Sequence, residues 1–195
     1  MHNVFDCVKA FSLLLNTEYD IVLGRKGVTA NLHLVFDKKD CYHLMGLQYL
    51  RDLPYLAKDR GKVFDAIANG TLTVADIEKS DLYHSIERRV DLLPYLENII
   101  DSNDTIFKYN RKVRKFSMID ADYFLKNTLL TGNVFVFLSQ NTKSSHYYCR
   151  SFFPEENIDY AEGQAVWTLL YKAKTNVQTG EKQVLFDKLT KKNAD

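Results

Sequence analysis

The chain has 195 residues, of which 46 % are hydrophobic and 26 % charged, with a formal net charge of +1. That length fits a single domain with a real core and room for an insertion, and the even charge balance means that any nucleic-acid binding must come from a local patch. No stretch approaches the roughly 18 unbroken apolar residues of a membrane span, and the three distant cysteines Cys7, Cys41 and Cys149, without a CxxC pair, support neither a disulfide framework nor a structural zinc site.

The opening MHNVFDCVKAFSLLL lacks a basic n-region and a small-residue cleavage site, and Asp6 and Lys9 interrupt its apolar residues. A signal peptide is therefore not expected, and a cytosolic protein is. Val4, Phe5, Val8, Phe11 and Leu15 recur at helical spacing, which predicts an amphipathic helix over residues 3–16. The period then drops to two. Residues 18–24 and 28–36 read as strands, joined through GRKG as a hairpin. Asp37 is placed to cap a helix that carries CYHLMGLQYL, residues 41–50. In that helix His43 shares a face with Leu47 and Leu50, and Gly46 sits mid-turn at a cost of about 1 kcal/mol relative to alanine.

Residues 51–101 read as a helical insertion of two to four short helices. The chain breaks near Pro54, Thr73 stands three residues before Asp76 as a capping pattern, and Leu82, Ile86, Val90 and Leu93 keep helical spacing until Pro94 kinks or ends the helix. From residue 105 the period returns to two. TIFKYN, FSMIDADYFL, NVFVFLSQ, SHYYCRSFF, VWTLLYKAK and KQVLFDKL are strand candidates, separated by the turn signals TGN, NTKSS and TGE. This order predicts one α+β domain over residues 1–195: a mainly antiparallel, twisted sheet with packed N-terminal helices and a helical insertion at about 51–101.

Three groups of residues are able to carry chemistry. The run KYNRKVRKF places Lys108, Arg111, Lys112, Arg114 and Lys115 within eight positions, flanked by Tyr109 and Phe116. It reads either as a phosphate-binding groove with stacking rings or as a solvated turn. On a regular strand SHYYCRSFF turns His146, Tyr148 and Arg150 to one side, which assembles an acid or base, a phenol and a permanent cation; the competing reading is a solvent-facing strand. His43 is the third candidate, against the alternative of a core histidine satisfied by backbone partners. His33 and His84 read as surface residues. Asp120 and Asp122 share a strand face but lack a third ligand, so they make a weak metal site. HExxH, GxSxG, P-loop and GxGxxG patterns are absent from the sequence.

The opening helix, the hairpin and the stretch FDKKDCYHLMGL resemble a phage-associated nuclease family of the barnase–EndoU–colicin–RelE-like (BECR) superfamily. The resemblance rests on a strand ending in Phe36, a polar turn over Asp37–Asp40, and a helix with His43, Leu44 and Gly46; SHYYCRSFF resembles a later strand with a serine before a Phe pair. It covers the first fifty residues well and residues 105–153 loosely. It implies a toxin-like, metal-independent endoribonuclease of a phage or mobile element that needs no cofactor, acts on RNA, and has an antitoxin or immunity protein as a candidate partner. The chemistry implied is attack of the RNA 2′-OH on the adjacent phosphate, with a base, an acid and cations for the developing charge. Carried over residue by residue, His43 becomes a general base or acid or orients the scissile phosphate, His146 is the second acid–base candidate, Arg150 faces the transition-state charge, and Ser151 binds a phosphate oxygen. Lys108, Arg111, Lys112, Arg114, Lys115 and Tyr148 then become RNA-binding residues. Arg150 and Ser151 face opposite sides of a regular strand, so a bulge must realign them or one of them is not catalytic. The alternative function is a catalytically inactive nuclease-like module that binds nucleic acid or a host protein.

Overall fold

A computed structural model describes residues 1–57, 59–102, 105–114, 117–130 and 132–190. The first helix, α1 (Val4–Leu14), starts at Asn3, whose side chain accepts the Phe5 and Asp6 amides while Asp6 answers with a carboxylate on the Asn3 amide. The hairpin β1 (Thr17–Arg25) and β2 (Val28–Leu34) follows as expected, turning through Lys26 and Gly27 at positive φ.

The second helix, α2, covers Lys38–Met45 and is capped at its start by Asp37, reciprocated by Asp40. Here the structure corrects the sequence reading. Gly46 is not mid-helix: it has φ +86° and ends α2, and a 3₁₀ turn over Leu47–Tyr49 follows. A left-handed C-terminal residue is where glycine costs least. A Cβ there would meet Ile86 Cγ2 at 2.9 Å and Arg89 Cδ at 3.1 Å, so the position also admits close packing of the next helical layer.

The insertion forms α3 (Arg60–Ala68), α4 (Val74–Glu78), α5 (Glu87–Leu92) and α6 (Leu96–Asp101). The Thr73–Asp76 capping box opens α4, and Pro94 sits in the 3₁₀ turn that separates α5 from α6. The remaining strands are β3 (Thr105–Lys108), β4 (Tyr123–Leu130), β5 (Gly132–Gln140), β6 (Tyr147–Pro154), β7 (Ala165–Asn176) and β8 (Lys182–Asp187). Of the strand expected over residues 116–125, residue 116 lies outside the described residues and the strand begins at Tyr123; just before it, the Asp122 carboxylate accepts the Gln140 amide at 2.9 Å.

The strands do not form the expected mainly antiparallel, twisted sheet. They run in the order β1-β2-β6-β5-β4-β3-β7-β8, and β1 also pairs with β7 over Thr17–Gly24, which closes the first seven into a barrel. The joint between β2 and β6 is parallel, at Leu34–Tyr147, so the barrel is mixed; β8 adds to β7 outside the ring. The closing pairs lie far apart in sequence, and no local period encodes them. Closure removes the exposed edges of the seven ring strands, leaving β8 as an edge strand.

One continuous core joins all six α-helices to one face of the strands, with Tyr19, Leu34, Leu125, Val136, Cys149 and Phe152 among its buried members. The opposite face of β3–β5 buries a second cluster of Phe107, Tyr109, Phe124, Phe135 and Phe137. That is why NVFVFLSQ reads as a nearly unbroken apolar run: β5 is covered on both sides. At the end of α6 the buried Lys172 of β7 donates to the carbonyls of Ile100 and Ser102, and Lys174 pairs with Glu97 and Asp101. Cations at a helix C-terminus offset its partial negative charge. All three cysteines are buried free thiols. Among the described residues no helix is long and apolar enough to cross a membrane.

Candidate active site

Strand β6 leaves the parallel joint at Tyr147 and then runs beside α2 rather than beside β2. A cleft of about 580 Å³ opens there between the start of β6, the β5–β6 loop and the helices α2 and α3. His43 reaches it from α2, Arg60 from the first turn of α3, and His146, Tyr148 and Arg150 from β6 and the residue before it. The loop residues Asn141, Thr142 and Ser144 form a polar wall. That loop is held by the Asn141 amide donating to the His146 carbonyl at 2.7 Å and the Ser145 amide donating to the Asn141 carbonyl at 2.9 Å.

Strand β6 holds a bulge, one of the two outcomes that the Arg150–Ser151 conflict left open. Phe137 of β5 pairs with Ser151 and the next residue, Leu138, pairs with Cys149, so Arg150 is the extra, unpaired residue. Its insertion shifts the alternation by one: Cys149 and Phe152 are both buried, whereas Arg150 is exposed and Ser151 half-buried. A bulge re-aims side chains in this way beside functional sites. Ser151 still does not line the cleft. It borders a neighbouring hollow with Tyr49 and Phe153.

The electrostatics of the cleft are uneven. Lys39, Arg60 and Arg150 bring three cations; Asp37 and Asp40 bring two carboxyls. Lys39 pairs with Asp37 at 3.3 Å. Asp40 spends one oxygen on the Asp37 amide, and its burial pushes its pKa up to about 6. His43 is half-buried, and its pKa is lowered below the ordinary value of 6.5, first by loss of solvent and then by the guanidinium groups of Arg60 and Arg150. At neutral pH the His43 ring is therefore held in the neutral form, which is able to accept a proton. His146 has its Nδ1 buried with no hydrogen-bond partner, and its ring meets that of His33 edge-on, centroids 5.0 Å apart. His33 is itself held between Glu18 (3.2 Å) and Asp20 (2.9 Å) on β1.

Four of the residues singled out in the sequence thus share one cleft: His43, His146, Arg150 and Tyr148. The basic run does not. Lys108 lies on β3, separated from β6 by β4 and β5, pairs with Asp122 at 3.6 Å and sits over the Tyr123 ring at 4.2 Å. Arg114 donates to the Asp159 and Glu162 carbonyls and to the Glu162 carboxylate. Arg111 and Lys112 are exposed on a 3₁₀ turn, and Lys115 lies outside the described residues. Sequence reasoning missed Arg60, Lys39 and Asp40, and it read His33 as plain surface. No period marks Arg60, which follows the cap Asp59 in an insertion of unknown docking. The cross-strand pairing of His33 with Asp20 was available from the hairpin register. Among the described residues no group of three His, Cys, Asp or Glu side chains is arranged to hold a metal ion.

The family model described as phage-Barnase-EndoU-ColicinE5/D-RelE like nuclease4 matches residues 3–189, nearly the whole chain and including the helices of the insertion. No curated protein and no solved structure matches the chain.

Proposed function

The chain belongs to this phage nuclease family, and from that premise we propose that it is an endoribonuclease that cleaves RNA by attack of the 2′-OH, without a metal ion. The observation that carries the reading is the cleft in which a neutral-leaning His43, His146 and the cations Arg60 and Arg150 converge. A phosphate seated between Arg150 and Arg60 gains charge as it becomes pentacoordinate, and fixed guanidinium forks stabilise that charge. His43 takes the proton from the 2′-hydroxyl as its oxygen bonds to phosphorus. The bond to the 5′-oxygen breaks, and His146 supplies the proton that this oxygen needs. The products are a 2′,3′-cyclic phosphate and a free 5′-hydroxyl. The nucleophile comes from the substrate, which restricts the reaction to RNA. As a toxin-like enzyme it has, on this reading, an antitoxin or immunity protein that covers the cleft.

The test is incubation of the purified protein with RNA in EDTA, followed by analysis of product ends. Cleavage leaving cyclic phosphate ends is expected, and His43→Ala or Arg150→Ala should lower kcat by about 10²–10⁴-fold, the range of a lost acid–base or charge-stabilising group. Cleavage that needs a divalent ion, or proceeds equally in the His43 variant, would sink the mechanism. RNA binding without cleavage would favour an inactive nuclease-like module instead.

A further inference from the structure

A second hollow, of about 370 Å³, borders the later residues of β6. Tyr148 and Arg150 border the first; Ser151 and Phe153 border the second, on the far side of the bulge. The opposite wall continues as well, from His43 through the chain reversal at Gly46 to Tyr49. The two hollows therefore border successive residues of one strand, β6, on either side of its bulge.

The second hollow has different chemistry. The Arg89 guanidinium lies 5.2 Å from the centroid of the Tyr49 ring and 5.2 Å from that of Phe153, and it donates to the Phe152 carbonyl at 3.1 Å. These contacts fix a flat cation among aromatic rings. Tyr49 remains 43 % exposed, so much of its ring is open to a ligand. Tyr160 closes the far side, in edge contact with Phe153. Arg88 lines the hollow, its side chain 63 % exposed, and among the described residues its ion pair is a 3.7 Å contact with the equally exposed Glu156. Such a pair is weak and leaves the guanidinium open to an external anion.

We propose that this hollow binds the base of a nucleotide flanking the scissile phosphate of single-stranded RNA, with Arg88 on the adjoining backbone phosphate. The assignment rests on the reading of the cleft as the RNA-cleaving site and adds a specificity element to it. Aromatic rings and arginine planes stack on unpaired bases, and a base-paired strand offers no such free face.

The test is a length series of oligoribonucleotides that share one scissile dinucleotide. Adding one nucleotide on the side of the hollow should lower KM about tenfold in the wild type, in the range of one base–aromatic stack. An abasic nucleotide at that position should not reproduce the gain. Tyr49→Ala and Arg88→Gln should each shrink the ratio of KM between short and extended substrates, and 4-thiouridine at that position should photocrosslink to Tyr49 or Tyr160. Both side chains changed are substantially exposed, and circular dichroism spectra matching the wild type verify the fold of each variant. Normal cleavage with a ratio of one in the wild type, as for a protein-docking surface, overturns the subsite and leaves the cleft intact. An abasic nucleotide that gives the full gain also overturns it. Failure to bind or cleave any RNA overturns the parent reading and the subsite with it.

Discussion

At the scale of single residues, the proposed role of His43 ties electrostatics to activity. Its pKa is lowered by burial first and by Arg60 and Arg150 next. The unprotonated ring is lost as pH falls through the lowered value, so the acidic limb of kcat/KM is expected below pH 6.5. Arg60→Ala removes the larger cationic cause and should move that limb upward, and the His43 resonances in an NMR titration should follow. The stability that this histidine contributes has the same sign: it is present above the unfolded value and lost as pH falls through the folded one. Gly46 allows a cleaner stability measurement. A left-handed backbone costs a non-glycine residue about 1–2 kcal/mol, and Gly46→Ala adds the crowding of Ile86 at 2.9 Å. Gly70 has φ +77° and open space around it. Denaturant midpoints should therefore fall more for Gly46→Ala than for Gly70→Ala, and equal losses would show that the contact has no weight.

At the scale of elements, α2 is set by its cap. Asp40 faces the Asp37 amide from inside the cleft wall, and burial raises its pKa to about 6. A carboxyl raised in the folded state favours folding while protonated, so this contribution is lost as pH rises from about 4 to 6. Asp40→Asn keeps an acceptor on the amide and should flatten that part of the Tm profile; an unchanged profile would deny Asp40 the role. The element scale is also where the sequence was most legible. Hairpin, caps and strand periods could be read because each depends on residues a few positions apart. The bulge at Arg150 was posed by the sequence as a conflict of side-chain direction, and only the register against Phe137 and Leu138 decides it. The end of α2 at Gly46 was misread because its apolar residues continue into the 3₁₀ turn, where Leu47 is buried just as Leu44 is.

At the scale of the molecule, one core binds helices and strands together, so a cavity at its centre is felt everywhere. Phe152 is fully buried, and Phe152→Ala should cost about 3–5 kcal/mol. Far-UV and near-UV circular dichroism should report the loss at one shared denaturation midpoint; separate midpoints would show that the helical layer melts independently. The convergence of His43 with Arg150 required the whole fold, as did the barrel, because both depend on pairings between distant segments. The ring is also uneven. Strand β1 holds β2 through seven paired positions and β7 through eight, whereas β2 meets β6 at the single pair Leu34–Tyr147, reinforced by the Val35 amide on the Tyr147 carbonyl at 3.0 Å. Val35 and Tyr147 both line the cleft. The barrel therefore has a seam, and the seam lies at the mouth of the site. Fewer hydrogen bonds hold this joint than hold either joint of β1, so it should be the easier one to open. In deuterated buffer the Val35 amide should exchange well ahead of those paired within β1–β2, and equal protection would show that the seam is no weaker than the rest of the ring.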